Sequence, residues 1–230
     1  MTLTVWRIAL NNETWAIRLW PLLDKVEQSR AERFRTLELQ RRYIIAHGAL
    51  RLLLADTCRQ PPTTLRLVCN AWGKPALAEA GLPVFNLSHA RDLALCAVAI
   101  AGEIGIDVEA LRPSPVVERL DLVRRFFSAD EYYTLNALDD QVFVSAFFRC
   151  WTRKEAYIKA KGLGLSLPLN QFSVVCQPGV LPALLASEYC PADMERYRFW
   201  DLSVPEGYWG SLAYYGPATG TLVYRDWRPD

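Results

Sequence analysis

The chain opens with alternating hydrophobic and polar positions and then changes to helical spacing. Residues 5–10, VWRIAL, alternate in the manner of a half-buried β-strand. After Pro21 a long polar stretch carries apolar residues at helical spacing, which predicts one or two amphipathic helices that end near Cys58. A short strand is predicted over residues 65–70, LRLVCN, because the turn sequence GKP follows it.

Three apolar segments with short breaks come next and predict a β-meander: VFNLSH (84–89), LALCAVAI (93–100) and IGIDVEA (104–110). The spacing then predicts helices over about 116–127, 129–138 and 141–161. Ser128 is placed to cap the second of these helices, with Glu131 at the capping-box position. This order of elements predicts an α+β fold in two similar halves that meet near residue 104.

Composition favours a globular protein and limits its partners. The 230 residues are 51% hydrophobic and 22% charged, which is typical of a folded chain. A net charge of +1 gives no general attraction for nucleic acid, so an anion site would be local. The longest apolar run, residues 93–102, is too short to cross a membrane, and the first residues lack a signal-peptide pattern. Six dispersed cysteines without a C-x-x-C pair predict reduced thiols in a cytoplasmic protein.

Two acidic residues on one predicted strand are candidates for a metal site. Asp107 and Glu109 are two positions apart, so their side chains leave the strand on the same face, about 7 Å apart. Like charges held together repel unless a cation or a proton lies between them. Mg²⁺ binds through a few such carboxylates with phosphate and water. The spacing is also compatible with two solvated acids on an exposed strand face.

The segment WTRKEAYIKAKGLG (151–164) carries three of the chain's five lysines. Glu155 and Lys159 are four residues apart on a predicted helix and therefore share a face. Two interpretations stay open: an ordinary surface ion pair, or a glutamate that joins the strand acids while the lysine meets a phosphate. Lys154 lies on no functional face and is expected to be a solvated charge.

Other polar residues are candidates for phosphate binding. Ser88 and His89 follow an apolar strand, where a turn can expose them to a phosphate; a turn stabilised by the serine hydroxyl is the alternative. The chain's two histidines do not have the spacing of a zinc site. Most arginines of the first long helical region are expected on a solvated face, and one or two could clamp a phosphate: Arg30, Arg33, Arg35, Arg41, Arg42 and Arg51.

Together, these motifs resemble the 4'-phosphopantetheinyl transferases of the surfactin-synthetase-activating (Sfp) type. The resemblance covers roughly residues 27–175 and rests on RRYIIAHGALR (41–51), WGKP (72–75), FNLSH (85–89), IGIDVE (104–109), FFSADE (126–131) and WTRKEAYIKAKGLGLSLPL (151–169). It implies a pseudo-dimer in one chain, with a small, mainly antiparallel sheet and helices in each half. Residues 1–104 would form the half that binds the nucleotide of coenzyme A, and residues 105–230 the half with the metal and the catalytic helix. The active site would lie at their interface.

The resemblance also implies a reaction. Such enzymes move the 4'-phosphopantetheine arm of coenzyme A onto a serine of a carrier protein and release 3',5'-ADP. By resemblance, Asp107, Glu109 and Glu155 hold Mg²⁺, or Mn²⁺, on the pyrophosphate. Lys159 contacts the pyrophosphate and can protonate the leaving phosphate, and Glu155 is the base for the carrier serine, so that Asp107, Glu155 and Lys159 are the catalytic residues. The residues implied in binding the nucleotide and its phosphates are Arg30, Arg42, Lys74, Ser88, His89 and Lys159.

The expected partner is an acyl or peptidyl carrier protein of fatty-acid, polyketide or peptide synthesis. Carrier proteins are acidic, and we expect them to dock on the segment Leu111–Phe127, where Arg124 and Arg125 are flanked by Leu120, Leu122 and Phe126. The alternative is that the apolar members belong to the core. We expect a monomer that binds neither nucleic acid nor membrane. Two other functions stay open: a Mg²⁺-dependent phosphohydrolase of coenzyme A-like substrates, and a non-catalytic coenzyme A-binding module.

Overall fold

The computed structural model describes residues 3–111, 116–217 and 221–229. Its α-helices are α1 (Glu13–Leu19), α2 (Lys25–Ala31), α3 (Leu37–Cys58), α4 (Val116–Phe126), α5 (Ala129–Asn136), α6 (Asp140–Lys161) and α7 (Asp193–Arg196). Its strands are β1 (Leu3–Ala9), β2 (Leu67–Cys69), β3 (Pro75–Leu77), β4 (Val84–Ala90), β5 (Leu93–Ala99), β6 (Glu103–Ala110), β7 (Phe172–Val174), β8 (Leu184–Ser187), β9 (Arg198–Asp201), β10 (Tyr208–Tyr215) and β11 (Leu222–Trp227). These elements confirm the predicted α+β class.

The chain divides into two compact units. The first unit comprises Met1–Cys69, Pro75–Ala101 and Ala218–Asp230, and the second unit comprises Asn70–Lys74 and Gly102–Pro217. The sequence-based division at residue 104 differs from this in three segments: residues 70–74 and 102–104 belong to the second unit, and residues 218–230 belong to the first. Strand β11 belongs to the first unit because it pairs in parallel with β1, and the loop between β2 and β3 belongs to the second. Internal similarity of the halves stays a prediction.

The first unit is built on a four-stranded sheet with the order β11-β1-β5-β4. Strand β5 is buried along its whole length, as its uninterrupted apolar sequence predicts. It pairs with β1 on one side and β4 on the other, both antiparallel. The predicted β4–β5 hairpin is therefore confirmed. The prediction of a three-stranded meander is wrong, because β1 and β4 occupy both edges of β5 and β6 pairs instead with β10.

Helices α2 and α3 confirm the prediction of one or two helices that end near Cys58. Helix α3 begins after the N-cap Thr36 and buries residues such as Ile45 and Ala49 in the first unit's core. Most arginines of this region are expected on a solvated face, and Arg51 is not one of the solvated ones, because it is buried in this helix. Its guanidinium lies 2.6 Å from a carboxylate oxygen of Asp24 and 2.6 Å from one of Glu27, because a buried charge needs such partners.

The second unit packs α6 on an antiparallel three-stranded sheet with the order β6-β10-β9. The predicted capping box at the start of α5 is present: the Ser128 hydroxyl accepts from the amide of Glu131, and the Glu131 carboxylate accepts from the amide of Ser128. Helices α4, α5 and α6 agree with the predicted helical segments to within two residues. None of the helices in the described residues is long and apolar enough to span a membrane.

Candidate active site

Strand β6 presents one face to α6, and a glycine makes the close approach possible. A Cβ atom on Gly105 would overlap the carbonyl oxygen of Ala156 and the amide nitrogen of Ala160. Only a residue without a side chain allows two backbones to come this near. Because side chains alternate along a strand, Asp107 and Glu109 share this face with Gly105 and point toward the same helix.

Side chains of β10, the strand that pairs with β6, also contact α6. Ser211 lies opposite Asp107, and its buried hydroxyl is 2.9 Å from the hydroxyl of Thr152 on α6. Trp209 lies opposite Glu109, and its ring stacks on Phe148 with centroids 4.6 Å apart. These contacts fix how α6 lies across the sheet. The sequence motifs do not reveal these contacts, because no motif lies beyond residue 175 and the pairing of β10 with β6 is not local.

Helix α6 places Glu155 and Lys159 beside the strand acids. The ammonium of Lys159 is 2.5 Å from Oδ1 of the buried Asp107. Burial raises the pKa of the Glu155 carboxyl to about 7, and the negative charges of Asp107 and Glu109 add to that effect, whereas Lys159 opposes it. The structure thus brings together the four residues that periodicity could place only in pairs.

The donor set of this cluster fits a hard divalent cation. Three carboxylates face one ammonium, so the cluster carries excess negative charge when all of its groups are ionised. That excess adds to burial, the larger cause, in raising the pKa of Glu155. Carboxylate oxygens are the protein ligands of Mg²⁺, which usually retains several waters and also binds substrate phosphates. Asp107, Glu109 and Glu155 are therefore suited to hold it.

Lys154, one position before Glu155, has a different role from the solvated charge that we expected. It is fully buried, and its ammonium lies 2.6 Å and 2.8 Å from the two carboxylate oxygens of Glu131. It also donates to the carbonyl of Phe172 at 2.7 Å. The expectation was wrong because the partner lies on α5, 23 residues away, beyond the reach of helical periodicity. Lys154 therefore holds α6 against α5 and β7.

A second group of residues with metal-ligand chemistry lies nearby but does not suit a metal. Among the described residues, Glu131, Cys150 and Cys176 have ligand atoms within 4.8 Å of one another. Both oxygens of Glu131 already accept from Lys154, and one also accepts from the amide of Val174. Burial raises the pKa of the Cys150 thiol well above its ordinary value, which disfavours the thiolate that a metal would require.

Arg42, Arg30, Ser88 and His89 lie in the first unit. Two oxygens accept from Arg42: Oδ1 of Asp92 at 2.7 Å and Oε1 of Glu38 at 2.6 Å. Arg42 lines a cavity of about 260 Å³ together with Leu10, Asn11, Asn12, Glu13, Glu38, Arg41 and Asp92. A phosphate that binds Arg42 would have to compete with these acids. The guanidinium of Arg30 lies over the ring of Tyr43, 5.7 Å from its centroid.

Ser88 and His89 are inside β4 rather than in a turn after it. The strand continues to Ala90 because it pairs with β5 over its full length. Consecutive residues of a strand point to opposite faces, and Ser88 is buried whereas His89 is exposed. The two side chains therefore do not act from one face, and His89 is the accessible one. Lys74, the remaining candidate, belongs to the second unit, with its ammonium against backbone carbonyls of α6 and β6.

Comparison with known proteins agrees with this arrangement. A family model described as the 4'-phosphopantetheinyl transferase superfamily matches residues 103–213, which include β6 and α6. The 4'-phosphopantetheinyl transferase HetI of Nostoc sp. is 40% identical over 179 residues, which are 76% of this chain and 74% of that protein. The 4'-phosphopantetheinyl transferase Sfp of Bacillus subtilis is 29% identical over 182 residues, 79% of each chain. The 4'-phosphopantetheinyl transferase psf-1 of Bacillus pumilus is 31% identical over 181 residues, 78% of this chain and 76% of that protein.

An α+β unit in which a strand with two acids faces a helix with a glutamate and a lysine has the parts of a phosphoryl-transfer enzyme. The similarity to known proteins identifies which class of phosphoryl-transfer enzyme this is. The chain belongs to the 4'-phosphopantetheinyl transferase superfamily and is a 4'-phosphopantetheinyl transferase of the kind that includes Sfp and HetI. The resemblance noted from the sequence motifs is confirmed.

Proposed function

We propose that the chain transfers the 4'-phosphopantetheine arm of coenzyme A to a serine of an apo acyl or peptidyl carrier protein, with Mg²⁺ and with release of 3',5'-ADP. The observation that carries the proposal is the cluster of Asp107, Glu109, Glu155 and Lys159 on the facing sides of β6 and α6. In a member of this superfamily, these groups have the chemistry that attack on a pyrophosphate requires.

The chain's own residues would act on the two ends of the reacting bond. The serine oxygen of the carrier forms a bond to the phosphorus of the phosphopantetheine arm, and the bond from that phosphorus to the oxygen of 3',5'-ADP breaks. Glu155 takes the serine proton, directly or through a water, and a pKa of about 7 suits a general base at neutral pH. Lys159 neutralises the leaving phosphate and can protonate it.

Asp107, Glu109 and Glu155 would hold the divalent cation, which supplies charge neutralisation on the pyrophosphate when it is bound. Lys159, in its contact with Asp107, keeps the carboxylate oriented and remains within the same cluster. No covalent enzyme intermediate is needed, since the carrier serine is itself the nucleophile. In the first unit, the proposed contacts for the nucleotide and its phosphates are Arg30, Arg42, Ser88 and His89; Ser88 is buried in β4, whereas His89 is exposed.

The direct test is intact-mass analysis of several apo carrier proteins incubated with coenzyme A, Mg²⁺ and this protein. We expect a carrier to gain about 340 Da, the mass of the phosphopantetheine arm, with one 3',5'-ADP released for each transfer. Omission of Mg²⁺ with a chelator present should abolish the gain. Hydrolysis of coenzyme A without any gain on a carrier would instead indicate a phosphohydrolase. Coenzyme A binding without turnover would indicate a binding module. Either result would overturn the proposal.

We also propose that the carrier docks on the segment Leu111–Phe127, whose residues 112–115 lie outside the described residues. On α4, Leu122 and Phe126 are 41% and 39% exposed, next to the basic residues Arg124 and Arg125 of the last helical turn. A mixed apolar and basic patch suits an acidic amphipathic helix. Leu120 is partly buried against the core and contributes less to such a patch.

The docking proposal predicts a selective change in affinity for the carrier. The double variant Arg124→Glu with Arg125→Glu should raise the KM for the carrier about tenfold or more, because it places negative charge against an acidic partner. The KM for coenzyme A should change little. Arg66→Glu with Arg228→Glu is the matched control, since both arginines are exposed and lie in the first unit. An unchanged KM for the carrier in the first variant would rule out this docking segment.

Cytoplasmic location and a monomeric state stay predictions from the sequence. Both can be checked by fractionation and by light scattering of the purified protein.

A further inference from the structure

The loop between β2 and β3 is held in one shape by its own hydrogen bonds. The Asn70 side-chain oxygen accepts from the amides of Trp72 at 3.0 Å and Lys74 at 2.9 Å. The backbone closes the loop as well, since the amide of Asn70 donates to the carbonyl of Lys74 at 3.0 Å. The side chains of Asn70 and Lys74 are therefore presented from a fixed support, and both contact the second unit, to which the loop belongs.

Both side chains bind the end of α6. The ammonium of Lys74 donates to the carbonyl of Ala160 at 2.8 Å, and the amide nitrogen of Asn70 donates to the carbonyl of Gly162 at 2.7 Å. The last carbonyls of a helix have no partner within the helix, and a cation is favourable at that end. Gly162 ends α6 with a φ of +70°, and a Cβ atom there would be 2.9 Å from Cδ of Lys74. The end of α6 and the loop between β2 and β3 are therefore complementary in shape.

The same ammonium also binds β6. It donates to the carbonyl of Ile104 at 3.0 Å, directly before Gly105. Lys74 thus joins Ala160 of α6 to Ile104 of β6. Ala160 directly follows Lys159, and Ile104 lies three positions before Asp107. The Lys74 side chain spans the helix and the strand close to where the four residues of the candidate active site face each other. Burial lowers the pKa of Lys74 to about 8, so the amine is mostly charged at neutral pH.

We propose that Lys74, supported by Asn70, is a positioning residue for the transfer reaction: it sets the separation between the carboxylates of β6 and the Glu155–Lys159 pair of α6. The inference rests on the proposed function for the reaction itself. It differs from the role implied by the sequence resemblance, in which Lys74 is a ligand of the nucleotide. Two of the three N–H groups of its ammonium are directed at backbone carbonyls of the metal-site elements.

The two roles predict different kinetics. Lys74→Met keeps the aliphatic stem and removes the donors. As a positioning residue, Lys74 should affect kcat, which we expect to fall about tenfold to hundredfold, because small displacements of reacting groups are costly. The KM for coenzyme A should stay within about threefold of wild type. Mn²⁺ affinity of the full-length protein without coenzyme A, measured by electron paramagnetic resonance of free Mn²⁺, should weaken about tenfold.

Asn70→Ala provides a second variant if Lys74→Met folds poorly, and it should give the same pattern with a smaller effect. Lys25→Met is the matched control, because Lys25 is exposed at the start of α2, and it should leave all three quantities unchanged. A raised KM for coenzyme A in Lys74→Met, with kcat and Mn²⁺ affinity unchanged, would overturn the positioning role. Failure of the wild-type protein to modify any carrier would overturn the proposed function separately, and the Mn²⁺ measurement would still decide the role of Lys74.

Discussion

Glu155→Gln is expected to lower kcat for phosphopantetheine transfer by about 100-fold to 1,000-fold. Loss of a general base alone typically costs a factor of 10² to 10⁴, and this variant also removes one of the three carboxylates suited to hold the metal. Glutamine keeps the size and one oxygen of the side chain, so the packing of α6 should persist. Single-turnover transfer to a saturating carrier, with thermal unfolding of the same sample, measures both consequences.

The same variant should also change the response to pH. Burial and the neighbouring acids raise the pKa of Glu155 from 4.5 to about 7, so the folded protein binds a proton that the unfolded chain has lost over this range. The stability of the metal-free protein should therefore fall as pH rises from about 4.5 to about 7, and the contribution of Glu155 to this fall should level off above about pH 7. Mg²⁺ has to displace that proton, so its stabilising effect should grow over the same range. In Glu155→Gln this part of the pH dependence should disappear.

Glu206→Gln is the matched control, because Glu206 is an exposed glutamate in the same unit, and it should leave transfer and pH dependence unchanged. If Glu155→Gln retained more than about a tenth of the wild-type kcat, the base would have to be another group. If the increase of Mg²⁺ stabilisation with pH persisted in the variant, Glu155 would not be the group that exchanges its proton for the metal.

Local signals in the sequence predicted the helices well and the strand pairing poorly. The Ser128–Glu131 capping box sets the start of α5 through bonds within four residues, and the structure contains it as predicted. The meander failed because the partners of β5 and β6 are chosen by distant segments: β1 occupies the free edge of β5, and β10 pairs with β6. The position of β11 beside β1, more than 200 residues away, could not be found from local pattern.

The residues of the candidate active site could be predicted from the sequence, but it could not be predicted that they lie close together. Periodicity placed Asp107 with Glu109 on one strand face, and Glu155 with Lys159 on one helix face, without showing that the two faces meet. Their meeting depends on Gly105, which no pattern in the sequence marks as a point of close backbone contact. The role of Lys154 was missed for a related reason. A helical pattern treats a charged residue as exposed, whereas a partner on another element, here Glu131, allows it to be buried.

Gly105→Ala should therefore be strongly disruptive to the second unit, although it adds only one methyl group. The added methyl group would meet backbone atoms of Ala156 and Ala160, so no side-chain rearrangement on α6 can make room for it. Either α6 moves away from β6 or the strand bends. Overpacking of this kind costs about 1–3 kcal/mol and occasionally more, and we expect the upper end, about 3 kcal/mol, from urea unfolding. Transfer should fall at least 100-fold even in the folded fraction, because the carboxylates and Lys159 would be displaced from each other.

Gly179→Ala separates this effect from the general cost of replacing glycine. Gly179 has a φ of +77° and no atom within 4 Å of the added Cβ, so its substitution should cost about 1–2 kcal/mol through backbone conformation alone. Transfer by that variant should stay near the wild-type rate, because the turn lies outside β6 and α6. A Gly105→Ala protein with wild-type stability and rate would mean that β6 and α6 do not need their close backbone contact. The separation between Asp107 and Lys159 would then have to be set by other contacts, such as those of Lys74, the Thr152–Ser211 hydrogen bond and the stacking of Trp209 on Phe148.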